Sequence, residues 1–279
     1  MLRFVIIAIV VIILVILLVR LFERQMVFFP SKYPAGFRQL QNAGIDLKEV
    51  WFAAADGVKL HGWFVSHAQP QAALLMCHGN AGNVSDRYEW LEMLHEQVPA
   101  NLFIIDYRGF GRSEGAPTEE GCYLDAMAAF NWLAAQKPEL PIIVHGHSLG
   151  SAVAVELAHR LSDGAPAGLI LESAFTNAVD MGKLMFGPIP LYWLTRMKWA
   201  SDEKIGAIKI PKLFIHGEYD SIIPLRLGQK LFASAAPPKE FVVLPRADHN
   251  DTFVAGGEEY YQVIRDFVRR CVSEVGLAK

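Results

Sequence analysis

The sequence predicts an α/β fold in which a mostly parallel sheet is flanked by helices and preceded by an apolar N-terminal helix. Three observations lead there. Beyond about residue 70, short apolar runs of strand length alternate with longer stretches of helical periodicity, the pattern of parallel strands joined by crossover helices. Several of those runs end in glycine-containing turns, and open sheets of this kind place their sites at such strand ends. The first two dozen residues, finally, are apolar almost without interruption.

Every residue from Phe4 to Val19 is apolar, with Arg3 and Arg20 at the flanks. Leu2, Leu21 and Phe22 extend the stretch to about 31 Å of helix, close to the hydrocarbon thickness of a bilayer. The arginines suit the two interfaces. A cleaved signal peptide is the alternative, but no small-x-small site follows; the chain runs Leu21-Phe22-Glu23-Arg24-Gln25. Residues 1–22 are therefore expected to be a single-pass transmembrane anchor, 23–47 a juxtamembrane linker and 48–279 one α/β domain. Phe28, Phe29, Tyr33 and Phe37 make the linker aromatic, suited to the headgroup level or to packing on the body. Arg20, Arg24, Lys32 and Arg38 outnumber Arg3 across the apolar stretch, which leans the domain towards the cytoplasmic side.

Two early strands, near Glu49–Ala54 and Val58–Val65, meet around Asp56-Gly57, a hairpin signal. Further strands are expected near Ala72–Cys77, Asn101–Ile105, Pro141–Val144, Gly168–Leu171, Pro211–Ile215 and Glu240–Leu244. Helices fall between and after them, near Arg87–Gln97, Thr118–Ala135, Leu149–Leu161, Leu225–Ser234 and Gly257–Val272. The last carries Ile264, Phe267, Val268 and Cys271 on one stripe, which predicts a core-facing side. Residues 176–208 break the alternation. Met181, Met185, Ile189, Tyr192, Trp193 and Met197 crowd this segment around Pro188 and Pro190. It is expected to form a short helical cap whose adaptable apolar side chains shape an acyl-chain pocket, plain packing on the body being the alternative.

The chemistry centres on Ser148, in Gly146-His147-Ser148-Leu149-Gly150 behind the apolar run Pro141–Val144. A serine at a tight strand-to-helix turn is strained and raised above the sheet edge, and glycines two residues either side let the chains pass. Such a hydroxyl needs a base, and the base an orienting acid. Asp220 follows the strand ending at His216-Gly217, and His249 follows the strand ending near Leu244, giving the order Ser, Asp, His at three strand ends. Glu218 and Asp248 are rival acids. Asp220 is preferred because it lies past the turn that swings the chain over the site, whereas Asp248 adjoins His249 and reads as solvated. His145 and His216 read as local hydrogen-bonding residues, and His147 as a pocket residue. For the developing oxyanion, the expected donors are the backbone N–H groups of Leu149 and of Asn80, in the loop His78-Gly79-Asn80-Ala81-Gly82-Asn83. No Gly-Lys-Ser/Thr follows that loop, which argues against a phosphate cradle.

These motifs, with Asp106-Tyr107-Arg108-Gly109-Phe110-Gly111-Arg112-Ser113-Glu114-Gly115 between them, resemble the α/β-hydrolase fold superfamily from about Val50 to the last helix. With its apolar N-terminus the chain most resembles the branch of lysophosphatidylserine lipases and membrane-associated protein depalmitoylases. It is more distantly similar to the catalytic domain of prolyl-oligopeptidase-type peptidases. The resemblance implies ester, thioester or lipid hydrolysis. The depalmitoylases' cysteine-rich N-terminal segment is replaced here by an apolar helix, so their substrate is not carried over. The Asp106–Gly115 segment reads as structural, with Arg108 and Glu114 expected to pair.

Composition limits the alternatives. A net charge of −3 and a pI near 6.3 give no footprint for nucleic acid. Three scattered cysteines suggest no disulfide framework, and no cluster has metal-ligand spacing. Sequons at Asn83 and Asn250 fall beside the site, where a glycan would crowd it. The expectation is a membrane-anchored serine hydrolase acting on a lipid or acyl-ester substrate without cofactor or metal. A peptidase and a non-catalytic scaffold are the alternatives, the latter disfavoured because nucleophile, acid and base are all present.

Overall fold

The computed structural model describes residues 1–34, 45–161, 165–188 and 190–277. Phe37, Arg38 and Ile189 lie outside that range. The chain opens with α1 (Leu2–Val27) and a short strand β1 (Phe29–Pro30). The antiparallel strands β2 (Asp46–Ala53) and β3 (Lys59–Ser66) follow, then β4 (Ala72–Cys77), β5 (Ala81–Gly82) and α2 (Tyr88–Gln97). Strand and helix then alternate through β6 (Ala100–Asp106), α3 (Glu119–Gln136), β7 (Ile142–His147), α4 (Leu149–Leu161) and β8 (Gly168–Glu172). Beyond the segment holding α5 (Ala178–Phe186) and α6 (Ser201–Lys204) come β9 (Lys212–Gly217), α7 (Leu225–Ser234) and β10 (Lys239–Leu244). The chain ends in α8 (Thr252–Ala255) and α9 (Gly257–Leu277).

Eight strands form one sheet in the order β2-β3-β6-β4-β7-β8-β9-β10. β2 and β3 pair antiparallel, as do β3 and β6, and the rest are parallel. The chain leaves β4 for β6 on one side and then crosses to β7 on the other. That reversal makes a crevice at the carboxyl ends of β4 and β7. Cys77 is in register with Gly146 there, so the turns after these two strands emerge side by side.

Both faces of the sheet are covered, as parallel strands require. Ala73, Leu75 and Cys77 of β4 join the core under α3 and α4, while Ala72, Leu74 and Met76 join the one under α2 and α9. The predicted stripe of α9 holds: Ile264, Phe267, Val268 and Cys271 are all buried. The remaining strands and helices fall within a few residues of expectation at each end, α9 running furthest beyond it.

The apolar stretch of α1 stands clear of the body, its side chains largely exposed from Phe4 to Phe22. With a mean hydropathy of 3.5 over its best window, it is long and apolar enough to cross a membrane. The helix continues past that stretch to Val27, where Glu23 is buried and Phe28 enters the core of the body.

In the segment between β8 and β9, Asn177 caps α5 by accepting the N–H of Asp180 at 2.8 Å. α5 packs so tightly on the single 3-10 turn at Pro190–Leu194 that a Cβ on Gly182 would lie 2.3 Å from that of Tyr192. Leu184, Met185 and Trp193 remain exposed, whereas Trp199 is buried. Carboxylates hold the exit: Glu23 accepts the N–H of Met197 at 2.6 Å, and Glu119 those of Lys198 and Trp199 at 2.6 and 2.8 Å.

One expected pair is absent. Arg108 bonds Asp125 at 2.9 and 2.8 Å and Asp56 at 2.7 Å, leaving Glu114 exposed. The buried Asp125 on α3 accepts two guanidinium N–H groups on Oδ1 and the Arg108 backbone N–H on Oδ2 in low dielectric, which a solvated Glu114 cannot match. Asp106 is fully buried and accepts from His61 Nδ1 at 3.0 Å and from the N–H of Val84 at 2.9 Å.

Candidate active site

Ser148 lies between β7 and α4 with φ 55°, in the left-handed region that strains any residue carrying a Cβ. Its N–H donates to Glu172 O at 2.9 Å, so the end of β8 holds the turn. The flanking glycines are required by contact. A Cβ on Gly150 would come within 1.9 Å of Cys77 O, and one on Gly146 within 2.3 Å of Gly150 O. Only glycines let α4 start this close over β4 and β7. The serine is 8% exposed, and Gly79 faces it across the crevice, 3.4 Å from Ser148 Cβ to where its own Cβ would lie.

Asp220 and His249 meet as expected. His249 Nδ1 lies 2.9 and 3.0 Å from the two Asp220 oxygens, and both side chains are almost entirely buried. A carboxylate only accepts, so the proton sits on Nδ1 and the lone pair on Nε2. Burial pushes the Asp220 carboxyl up. The facing His216 and His249, together with the N–H of Ile223 at 2.7 Å, outweigh it and hold the group well below the usual carboxylate range. Of those two histidines His249 is the stronger donor, because His216 Nε2 is 3.4 Å from Asp220 and spends its hydrogen on Ile223 O at 2.8 Å. Glu218 is exposed. Asp248 binds the N–H of Ser221 and of His249, both at 2.7 Å, and thereby shapes the loop. The acid at the histidine is therefore Asp220.

His147 joins the two halves. Its Nε2 donates to His249 O at 2.9 Å, with the rings 5.0 Å apart, so the residue before the serine grips the histidine loop. Burial lowers its pKa to about 4, leaving it neutral at ordinary pH. The sequence read this position only as pocket lining. His147, His78, Arg87, Trp90, Asn250 and Phe253 also border a cavity of about 360 Å³.

The two expected backbone donors lie at this crevice. Leu149 is the first residue of α4 and Asn80 follows Gly79; among the described residues neither N–H donates to a carbonyl. The His78 ring is buried, bonded through Nδ1 to Gly79 O at 2.6 Å, with its pKa lowered by burial to about 3. Arg87 steadies the far side of the loop through Ala81 O at 2.7 Å and Asn83 O at 3.2 Å. Asn83 is itself buried and hydrogen-bonded, so that sequon is closed to a glycan. Among the described residues no group of three or more His, Cys, Asp or Glu is arranged to hold a metal.

Glu172, which the sequence reading passed over, ties the site to the body. Its carbonyl holds Ser148, while its buried carboxylate accepts from His145 Nε2 at 2.7 Å, Tyr260 at 3.0 Å and the Thr252 hydroxyl just after the histidine loop. Burial raises its pKa, but the His145 bond and neighbouring charges bring it down to about 2. An unfolded glutamate titrates near 4.3. Glu172 therefore adds stability that is complete above that range and is lost as pH falls towards 2. His147 and His78 act with the same sign, because their unfolded forms bind protons from about pH 6.5 while the folded rings resist to about 4 and 3. Urea unfolding between pH 7 and 3 should show a continuous loss of stability. Glu172→Gln should remove on the order of 2 kcal/mol of the drop between about pH 5 and 3; an unchanged acid limb contradicts the assignment.

Comparison with known proteins identifies the family. Residues 68–200 match the family described as serine aminopeptidase, S33 (Hydrolase_4). The alpha/beta hydrolase domain-containing protein WAV2 of Arabidopsis thaliana is 31% identical, over 91% of this chain and 89% of its own. Lysophosphatidylserine lipase ABHD12 of Macaca fascicularis is 34% identical, over 69% of this chain and 52% of its own. Among solved structures, the Pyrococcus furiosus esterase Pf2001 superposes with a TM-score of 0.72 at 22% identity, covering 88% of this chain and 99% of that one. Fold order, site geometry and these relatives together place the chain in the α/β-hydrolase superfamily, to which it belongs.

Proposed function

We propose that this chain is a membrane-anchored serine hydrolase cleaving carboxylic ester or thioester bonds of lipid or acyl substrates through a covalent acyl-enzyme. One observation carries the reading: a serine at a strained elbow, bonded through His147 to a loop whose histidine is held by a buried carboxylate. Ser148 Oγ attacks the acyl carbonyl while His249 Nε2 takes its proton. Asp220 holds the imidazole and balances the charge that it gains. The N–H groups of Leu149 and Asn80 receive the oxyanion, each about 2.7–4 kcal/mol of transition-state stabilisation. His249 then protonates the leaving group, and water resolves the acyl-enzyme.

Residues 1–22 serve as the anchor, 23–47 as the linker and 48–279 as the catalytic domain, with 176–208 as its cap. Exposed apolar side chains along α1 support a bilayer around it. The burial of Glu23 and Phe28 against the body supports retention of the segment rather than its removal as a signal peptide. Arg20, Arg24 and Lys32, set against Arg3, support a cytoplasmic catalytic domain.

The test is a fluorophosphonate probe on the full chain in nanodiscs, with the modified peptide located by mass, followed by p-nitrophenyl esters from acetyl to palmitoyl. Labelling on the Ser148 peptide and rates rising with chain length are expected. Failure of the folded protein to label would sink the mechanism, and a preference for acetyl esters would sink the long-acyl substrate. The family match at 68–200 favours a second reading as a peptidase. Aminoacyl anilides cleaved faster than the esters would put it first.

A further inference from the structure

The oxyanion loop is not free-standing. It is gripped on its outer side by the residues directly after the apolar helix. Val27 O accepts from Asn80 Nδ2 at 2.6 Å, and the N–H of Phe29 donates to Asn80 O at 2.8 Å. Phe29 and Pro30 pair in parallel with Ala81 and Gly82. The N–H of Ser31 donates to Gly82 O at 3.0 Å, its Oγ accepts from Asn83 Nδ2 at 2.8 Å, and its carbonyl accepts from Gly111 at 3.0 Å. Phe28 pins this strap, 3% exposed, with its ring edge-on to Phe110 and Trp199 at 6.3 and 6.0 Å. One turn earlier, Glu23 holds the Met197 amide in the segment between β8 and β9.

The arrangement bears directly on catalysis. Asn80 is fixed by the strap through its side chain and its carbonyl, while among the described residues its N–H donates to no carbonyl and the adjoining Gly79 faces Ser148. Gly79 and Gly82 flank Asn80, and Gly82 takes φ 76°, so the backbone around the donor relies on its contacts with the strap and with Arg87 for its position. The strap's only strand pairing among the described residues is with the loop itself, and it is not part of the eight-stranded sheet. An oxyanion donor works only when held in place before the charge develops.

We propose that the strap Val27–Ser31 is a positioning element for the oxyanion loop, so that the end of the apolar helix sets the catalytic competence of the site it tethers. The proposal rests on the serine-hydrolase reading above. The strap acts through Asn80 and touches no reacting atom. Its loss should weaken transition-state stabilisation while leaving substrate binding alone, because a misplaced donor affects kcat and not ground-state affinity.

The experiment uses the full chain in nanodiscs with p-nitrophenyl octanoate as substrate and fluorophosphonate labelling in parallel. Ser31→Ala, at an exposed position, removes one strap-to-loop bond; Phe28→Ala unpins the strap, and Phe28→Leu refills most of the volume. Expected are losses in kcat of about threefold for Ser31→Ala and ten- to a hundredfold for Phe28→Ala, with KM within twofold, labelling slowed in proportion and Phe28→Leu largely restored. Folding is checked by thermal unfolding. Should Phe28→Ala not fold, Ser31→Ala decides. Folded Ser31→Ala or Phe28→Ala that keeps wild-type kcat, or changes KM alone, overturns the proposal while labelled wild-type protein leaves the serine-hydrolase reading standing. Wild-type protein that does not label overturns both.

Discussion

Ser148→Ala is expected to abolish fluorophosphonate labelling and to lower ester turnover by about 10⁴- to 10⁶-fold. The change removes one oxygen from a site otherwise left in place. The turn is held by the Ser148 N–H to Glu172 O and by Ser151 to Ser148 O, and both bonds involve the backbone of residue 148. Thermal stability should therefore stay near wild type, and the loss should appear in kcat. Residual activity above the uncatalysed rate is also expected, because backbone donors and substrate binding act without the nucleophile. Stopped assays on purified wild type and variant in the same nanodiscs provide the comparison. A variant retaining a tenth of wild-type turnover would remove Ser148 from the mechanism.

The second large effect is at the acid. Asp220→Asn is expected to lower kcat by about 10⁴-fold with little change in KM. The amide has nearly the same shape, but it can turn its NH₂ towards His249 Nδ1. The imidazole then carries its proton on Nε2, where the Ser148 proton has to go. Glu218→Gln should leave turnover within about twofold, because Glu218 is exposed and Asp220 occupies the histidine. Asp248→Asn should have an intermediate effect, since Asp248 orders the backbone of Ser221 and His249. Because the Asp220 carboxyl is held far below its usual range, it stays ionised through mild acid, and protonation of Asp220 will not set the acid limb of the pH–rate profile. Comparable losses for Asp220→Asn and Glu218→Gln would refute this ranking.

The parts of the molecule that local chemistry dictates were legible in the chain. Apolar runs of strand length became the buried strands, and the stripe Ile264, Phe267, Val268 and Cys271 became the buried side of α9. The elbow could be recognised because Gly146 and Gly150 admit no Cβ, a constraint that leaves its mark on composition. The pairing of Asp220 with His249, now seen at 2.9 Å, followed from the order of strand ends, since a parallel sheet brings successive carboxyl ends together.

Contacts that depend on burial and loop packing, rather than on strand order, were not legible. Arg108 chose Asp125 and Asp56 over its neighbour Glu114 because burial strengthens the ion pair with Asp125, and burial is unknown until α3 packs. Glu172 carries no local signal; its role comes from His145, Thr252 and Tyr260 converging on it. Nothing near Phe28 or Ser31 in the chain signals the loop at Asn80, some fifty residues away. The sequence by itself determined the sheet and the elbow and singled out Ser148, Asp220 and His249 for the proposed chemistry, because these depend on periodicity, on strand order and on steric limits at single residues. Only the tertiary structure decided which acid is buried, what braces the serine turn and that the apolar helix ends on the loop at Asn80. Those are matters of desolvation and long-range hydrogen bonding, which exist only once the chain has closed on itself.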